Sequence, residues 1–150
     1  LQYYDKDRNN MYGIHVRHWP KTWLNNNSHL VKNNDEKRIN YMNNIIKQNS
    51  NAKFYLCTPD ISVINKYNEL FGDRIIYFSE RFGNNSNDSF YIADEKLCNC
   101  NIYKNLNGVV DIFLLSYCNT ILGDVASSYS ICAKLMNQSS KISFINNKLY

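Results

Sequence analysis

Glycine is scarce in this 150-residue chain, at five residues, and none falls in a Gly-x-Gly-x-x-Gly run. That removes the fingerprint with which a dinucleotide-binding domain cradles a pyrophosphate. Positive charge is not concentrated either: 17 Lys and Arg stand against 13 Asp and Glu, a net charge of +4. The densest cluster, Lys32 to Arg38, also holds Asp35 and Glu36 and reads as a solvated helix face. Without a basic stripe, nucleic acid is not expected as a partner. No apolar run approaches the ~18 residues that a membrane-spanning helix needs. Cys98-Asn99-Cys100 has the wrong spacing for a zinc knuckle, and no second pair completes four ligands, so no metal site is assigned to it. Internal repeats are absent.

What is present is enough chain for one domain with a real core. The sequence begins at Leu1 rather than Met, and a longer polypeptide with a further N-terminal domain is expected. Of the five cysteines, Cys57, Cys118 and Cys132 lie in apolar patterns and are expected to be small buried hydrophobes. Asparagine recurs in pairs and triplets across loops and helices alike, so the sequons at Asn26, Asn84, Asn87 and Asn137 are what that bias supplies by chance.

Residues 1–10 read as a polar leader, and 11–150 as one α/β domain. A strand over 12–17 comes first, and a helix over 35–47 follows, carrying Ile39, Met42, Ile45 and Ile46 at helical spacing, with Asn33 or Asn34 as its N-cap. The spacing then predicts a strand over 53–57, a helix over 61–71 ended by Gly72, and a strand over 74–78. Residues 80–106 read as a long irregular excursion. A buried helix is expected to open after Gly108. It is followed by a strand over 120–122, a turn at Gly123-Asp124, a helix over 128–136 and a closing strand over 141–145. Strands alternating with helices imply a Rossmann-like parallel sheet with helices on both faces.

Ligands of such sheets sit beyond the carboxyl ends of the strands, and three places with suitable chemistry fall there. The first is His15 and Arg17, on one face of the first strand with Gly13, while Tyr12, Ile14 and Val16 face the other way. An imidazole and a guanidinium at a strand end suit a phosphorylated ligand, because arginine grips phosphate oxygens with a planar fork. The second is Thr58-Pro59-Asp60. The third runs from Gly123 to Ser128, where Ser127 and Ser128 open the last helix; they serve either as an anion site or as a simple N-cap. Asp111 is an acid inside an apolar run. It either sits in a first helical turn, favoured by the helix dipole, or receives a ligand with two N–H donors, such as a guanine edge.

These residues resemble a known family. His15-Val16-Arg17-His18-Trp19-Pro20-Lys21 is similar to the His-x-Arg-Arg-x-Asp-Lys signature of GDP-fucose-dependent fucosyltransferases, in particular the α1,6-fucosyltransferases. Phe54 to Asp60 resembles their strand ending in Thr-Asp-Asp. Gly108 to Ser116 resembles their Gly-Val-x-x-Asp-x-x-x-Leu-Ser helix, and Ala126 to Ala133 their final serine-bearing motif. The matches run in order from about residue 12 to residue 137. The resemblance implies the C-terminal, donor-binding half of a GT-B glycosyltransferase. It would transfer L-fucose, with inversion, from GDP-fucose to a glycan or glycoprotein acceptor. In the roles so implied, Arg17 holds the β-phosphate, and Lys21 stands close to the reacting sugar. His15 and Asp111 hold the guanosine end, His18 and Asp60 occupy donor-binding positions, and either Ser127 or Ser128 binds phosphate. GDP-fucose is then the donor substrate, with no cofactor and no metal. The compartment is left open: it is the Golgi or secretory lumen if the protein is eukaryotic, and the cytoplasm if it is bacterial or viral.

The departures are specific. The second arginine of the signature is His18, an imidazole mostly neutral at pH 7. The first aspartate of Thr-Asp-Asp is Pro59, and the position of a glutamate general base is Asn25. An alternative reading is therefore a catalytically inactive nucleotide-sugar-binding domain. Asp5-Lys6-Asp7 matches the Asp-x-Asp of metal-dependent glycosyltransferases, but lies in the polar leader rather than at a strand end.

Overall fold

In the computed structural model, residues 8–17, 25, 28, 33–78, 102–124, 127–137 and 141–144 are described. The strands are β1 (Met11–His15), β2 (Lys53–Cys57), β3 (Ile75–Ile76), β4 (Thr120–Gly123) and β5 (Lys141–Phe144). The helices are α1 (Asn34–Gln48), α2 (Ile61–Phe71), α3 (Ile102–Ser116) and α4 (Ser128–Met136). The strands form one sheet in the order β3-β2-β1-β4-β5, every neighbouring pair parallel. This is the Rossmann-like α/β arrangement that the alternation of strands and helices implies. The chain builds outward from β1 in one direction through β2 and β3, and in the other through β4 and β5. The order therefore reverses between β1 and β4, the place where open α/β sheets leave a crevice.

The two faces of the sheet follow from the two-residue period of the strands. Ile14 and Val16, with Phe54 and Leu56 of β2 and Leu122 of β4, pack with Met42 and Ile45 of α1 and Ile64 and Tyr67 of α2. Met11, Tyr55, Cys57 and Ile121 point the other way, against Leu115 of α3, Cys118 and Ala133 of α4. Each fully buried aliphatic side chain, such as Ile14, Leu56, Ile64, Leu115 or Ile121, stabilises the fold by about 1.5–3 kcal/mol. Gly13 lets α3 come close to β1: a Cβ there would lie 2.6 Å from Leu115 Cδ1 and 3.2 Å from Cys118 Sγ.

Several boundaries differ from those the sequence predicts. The first helix runs from Asn34 to Gln48 behind Asn33, which is left-handed (φ 63°) and makes no side-chain cap bond. The helix expected to open after Gly108 begins at Ile102, with the glycine inside it. A glycine costs a helix interior only about 1 kcal/mol relative to alanine, and Gly108 is itself buried, on the same helix face as the buried Asp111 and Leu115. The third strand keeps only Ile75–Ile76: Arg74 belongs to a 3-10 turn, its guanidinium donating to the carbonyls of Ser50 (2.7 Å) and Ala52 (3.1 Å). Cys57 and Cys118 are buried as expected, but Cys132 is exposed on the outer side of α4. Residues 79–101, with Cys98 and Cys100, and residues 1–7, with Asp5 and Asp7, lie outside the described residues. No helix among the described residues is long and apolar enough to cross a membrane.

One polar contact ties α1 to α2 and makes stability depend on pH. Asp35 accepts a hydrogen bond from the Tyr67 hydroxyl (2.6 Å) and is paired with Lys66. Partial burial raises the Asp35 pKa, but the bonds from Lys66 and Tyr67 and the charges of Lys66 and Arg38 outweigh it and hold the carboxyl below its ordinary value. A depressed carboxylate pKa adds stability that is complete above the unfolded value of 3.8 and is lost as pH falls through the folded value. The stability difference between wild type and Asp35→Asn should be about 0.2–1 kcal/mol for so exposed a pair. It should hold at neutral pH and vanish in acid; urea titrations showing the same difference at pH 7 and pH 2 would contradict this.

Candidate functional site

The carboxyl ends of β1 and β4 meet at the reversal of strand order, and buried polar residues including His15, Arg38, Asp124 and Ser127 lie at or beside them. β1 ends at His15; the next residue, Val16, still donates its N–H to Cys57 O (2.9 Å). The sheet thus carries the backbone one residue further and delivers Arg17 to the rim, half-buried. The His15 imidazole is buried. Its Nδ1 lies 2.9 Å from Ser130 Oγ on α4, and its ring stacks on Tyr129 with centroids 5.6 Å apart. Gly108 makes room for that ring: a Cβ there would lie 2.5 Å from the Tyr129 hydroxyl.

β4 delivers Asp124, whose carboxylate is 1% exposed. It accepts the Arg17 backbone N–H (Oδ2, 2.9 Å) and the Asn34 side-chain amide (Oδ1, 3.4 Å), and forms an ion pair with the Arg38 guanidinium. Arg38 is thus a buried side chain, not part of a solvated helix face. Four residues on, α4 begins. Ser127 is its N-cap and is fully buried; its hydroxyl makes no cap bond and has no partner among the described residues. Ser128 is exposed. A helix N-terminus beside a buried hydroxyl with no partner among the described residues is suited to hold an anion.

No family model and no curated protein matches the chain. Solved structures do. The NodZ α1,6-fucosyltransferase co-crystallised with GDP is 17% identical, with a TM-score of 0.52 over 91% of this chain and 39% of that one. The same enzyme soaked with GDP-fucose is 18% identical, with a TM-score of 0.50 over the same shares. The chain has the fold of part of a fucosyltransferase. It spans about two fifths of the length of these neighbours.

Against this fucosyltransferase-like fold, the residues singled out in the sequence divide clearly. His15, Arg17 and Ser127 come together at the β1–β4 crevice. Asp111 lies in the third turn of α3, not the first, so the helix dipole does not account for it. It is 1% exposed, and Oδ1 accepts the Tyr55 hydroxyl at 2.5 Å. Asp60 caps α2, its Oδ1 accepting the Ser62 N–H (2.9 Å) and hydroxyl (2.7 Å); such a cap stabilises by about 1 kcal/mol. His18 and Lys21 lie outside the described residues, and Asn25 is exposed. A cavity of about 530 Å³ lies at the opposite, amino-terminal edge of the sheet, lined by Lys53, Phe71 and Arg74 among others. Its cations serve backbone carbonyls: Lys53 donates to Asp73 O and Arg74 to Ser50 O.

Arg38, Tyr55, Tyr129 and Ser130 carry no site role that the sequence suggests, Asn34 is marked there only as a candidate N-cap, and Asp124 only as part of a turn in the stretch from Gly123 to Ser128. A signal existed for one group. Asn34, Arg38, Met42 and Ile45 recur at helical spacing and are the buried residues of α1, so the apolar stripe pointed inward through Arg38. Asp124 directly follows an apolar strand, which marks the place but not the partner.

Proposed function

We propose that this chain is the donor-nucleotide domain of a GDP-fucose-dependent fucosyltransferase, transferring L-fucose with inversion to a glycan or glycoprotein acceptor. The observation that carries this reading is the buried Ser127 hydroxyl at the α4 N-terminus, which has no partner among the described residues. It shares the β1–β4 crevice with Arg17 and His15, in a fold shared with a fucosyltransferase solved with GDP. In the reaction, an acceptor hydroxyl oxygen attacks C1 of fucose from the face opposite the diphosphate. The C1–O bond breaks, its electron pair leaves with GDP, and the acceptor oxygen gives up its proton to solvent as the new bond forms. The charge developing on the β-phosphate is met by the Arg17 guanidinium, the Ser127 hydroxyl and the α4 N-terminus, with no metal ion taking part. His15 and Asp111 serve the guanosine end, and the Tyr55 bond holds the Asp111 carboxylate in one rotamer.

Calorimetry with GDP, ADP and UDP, and turnover of GDP-fucose, test this reading. A carboxylate accepts two N–H bonds from guanine and finds no matching pair on adenine, so GDP should be preferred by about 1–3 kcal/mol. Asp111→Asn should erode that preference. Equal affinities for the three nucleotides would refute guanosine recognition, and a protein that binds GDP but never turns over GDP-fucose would refute the transferase.

The two serines separate as well. Ser127→Ala should weaken GDP binding by about 1.5–3 kcal/mol, the range for a hydrogen bond to a charged group, while Ser128→Ala leaves it unchanged. The reverse pattern would move the phosphate contact to Ser128.

A further inference from the structure

Asp124 gathers donors from two other stretches of chain. Its Oδ2 takes the Arg17 backbone N–H, and Oδ1 takes the Arg38 guanidinium and the Asn34 amide. Arg17 is where the chain leaves β1, and Asn34 and Arg38 open α1, so one carboxylate grips both ends of the stretch 18–32. The Asp124 main-chain carbonyl also accepts the Ser127 N–H at 3.2 Å. The same residue thus meets the backbone of Arg17 and the cap of α4.

A buried ion pair is a costly way to fill a strand end, since apolar residues of similar size often serve stability as well or better. The pair adds no net charge for a ligand either, because the guanidinium cancels the carboxylate. An acceptor for a backbone N–H is what an apolar pair lacks. We propose that Asp124 is the positioning residue of the anion site: it fixes the Arg17 backbone and the first turn of α1 against the Ser127 cap. This rests on the nucleotide reading above and adds to it a division of labour. Asp124 acts on the phosphate end of the ligand only. The nucleoside end is served by His15 and Asp111, which are hydrogen-bonded to Ser130 and Tyr55.

The test compares GDP with guanosine by calorimetry on the purified protein. Asp124→Leu combined with Arg38→Met removes the acceptor without leaving a lone buried charge. Asp124→Asn keeps the shape and one acceptor oxygen. The ratio of GDP to guanosine affinity should fall about tenfold in the double variant, the scale of a small misplacement of a binding group, and less in Asp124→Asn. Guanosine affinity itself should be unchanged. An unaltered ratio in either folded variant overturns the proposal, as does an equal loss for both ligands, which marks general loosening. A wild type that binds neither GDP nor guanosine overturns instead the nucleotide reading on which the proposal rests.

Discussion

Replacing Arg38 with methionine is expected to cost about 3–5 kcal/mol of stability, the penalty for leaving one partner of a buried ion pair alone. The Asp124 carboxylate is 1% exposed. Without the guanidinium it keeps only the Arg17 backbone N–H and the long bond from Asn34. Small domains are held by about 5–15 kcal/mol in all, so this one change removes a large share. Adding Asp124→Leu should return part of the loss, because no charge is then stranded. Urea unfolding of the two variants measures this. A single variant within about 1 kcal/mol of wild type, the range of a surface pair, would show that the pair contributes no more than a solvated contact.

Arg17→Ala should weaken GDP binding by about 1.5–3 kcal/mol, or roughly ten- to hundredfold. Arg17→Lys should recover only part, since an ammonium has no planar fork for two phosphate oxygens. The variants should fold normally: the structural bond at this position comes from the backbone N–H to Asp124, which any residue except proline supplies. Calorimetry giving wild-type affinity to the alanine variant would remove Arg17 from the donor site.

Much of the architecture was legible because the buried faces obey simple periods. The strand over 53–57 and the helices over 61–71 and 128–136 are found where the spacing puts them. Alternating Phe54, Tyr55, Leu56 and Cys57 sort to the two faces of the sheet as a two-residue period demands. The errors came where punctuation was read too strongly. Gly108 looks like a helix start, yet it lies inside α3, where its missing Cβ makes room for the Tyr129 hydroxyl. That requirement comes from a residue 21 positions away and leaves no local trace.

The same division runs through the candidate site. His15 and Arg17 share one side of a strand that ends beside them, and two serines begin a helix; both follow from local spacing, since side-chain direction in a strand and the place of a cap are set within a few residues. Only the packed sheet could tell Ser127 from Ser128 in burial, because burial depends on what lies around the helix terminus: the first is enclosed, the second exposed. Only the strand order could bring Asp124 to Arg17, 107 positions apart, with Arg38 between them in sequence. A buried charge finds its counter-charge through topology, and no pattern along the chain records which donor a carboxylate meets once β4 lies beside β1.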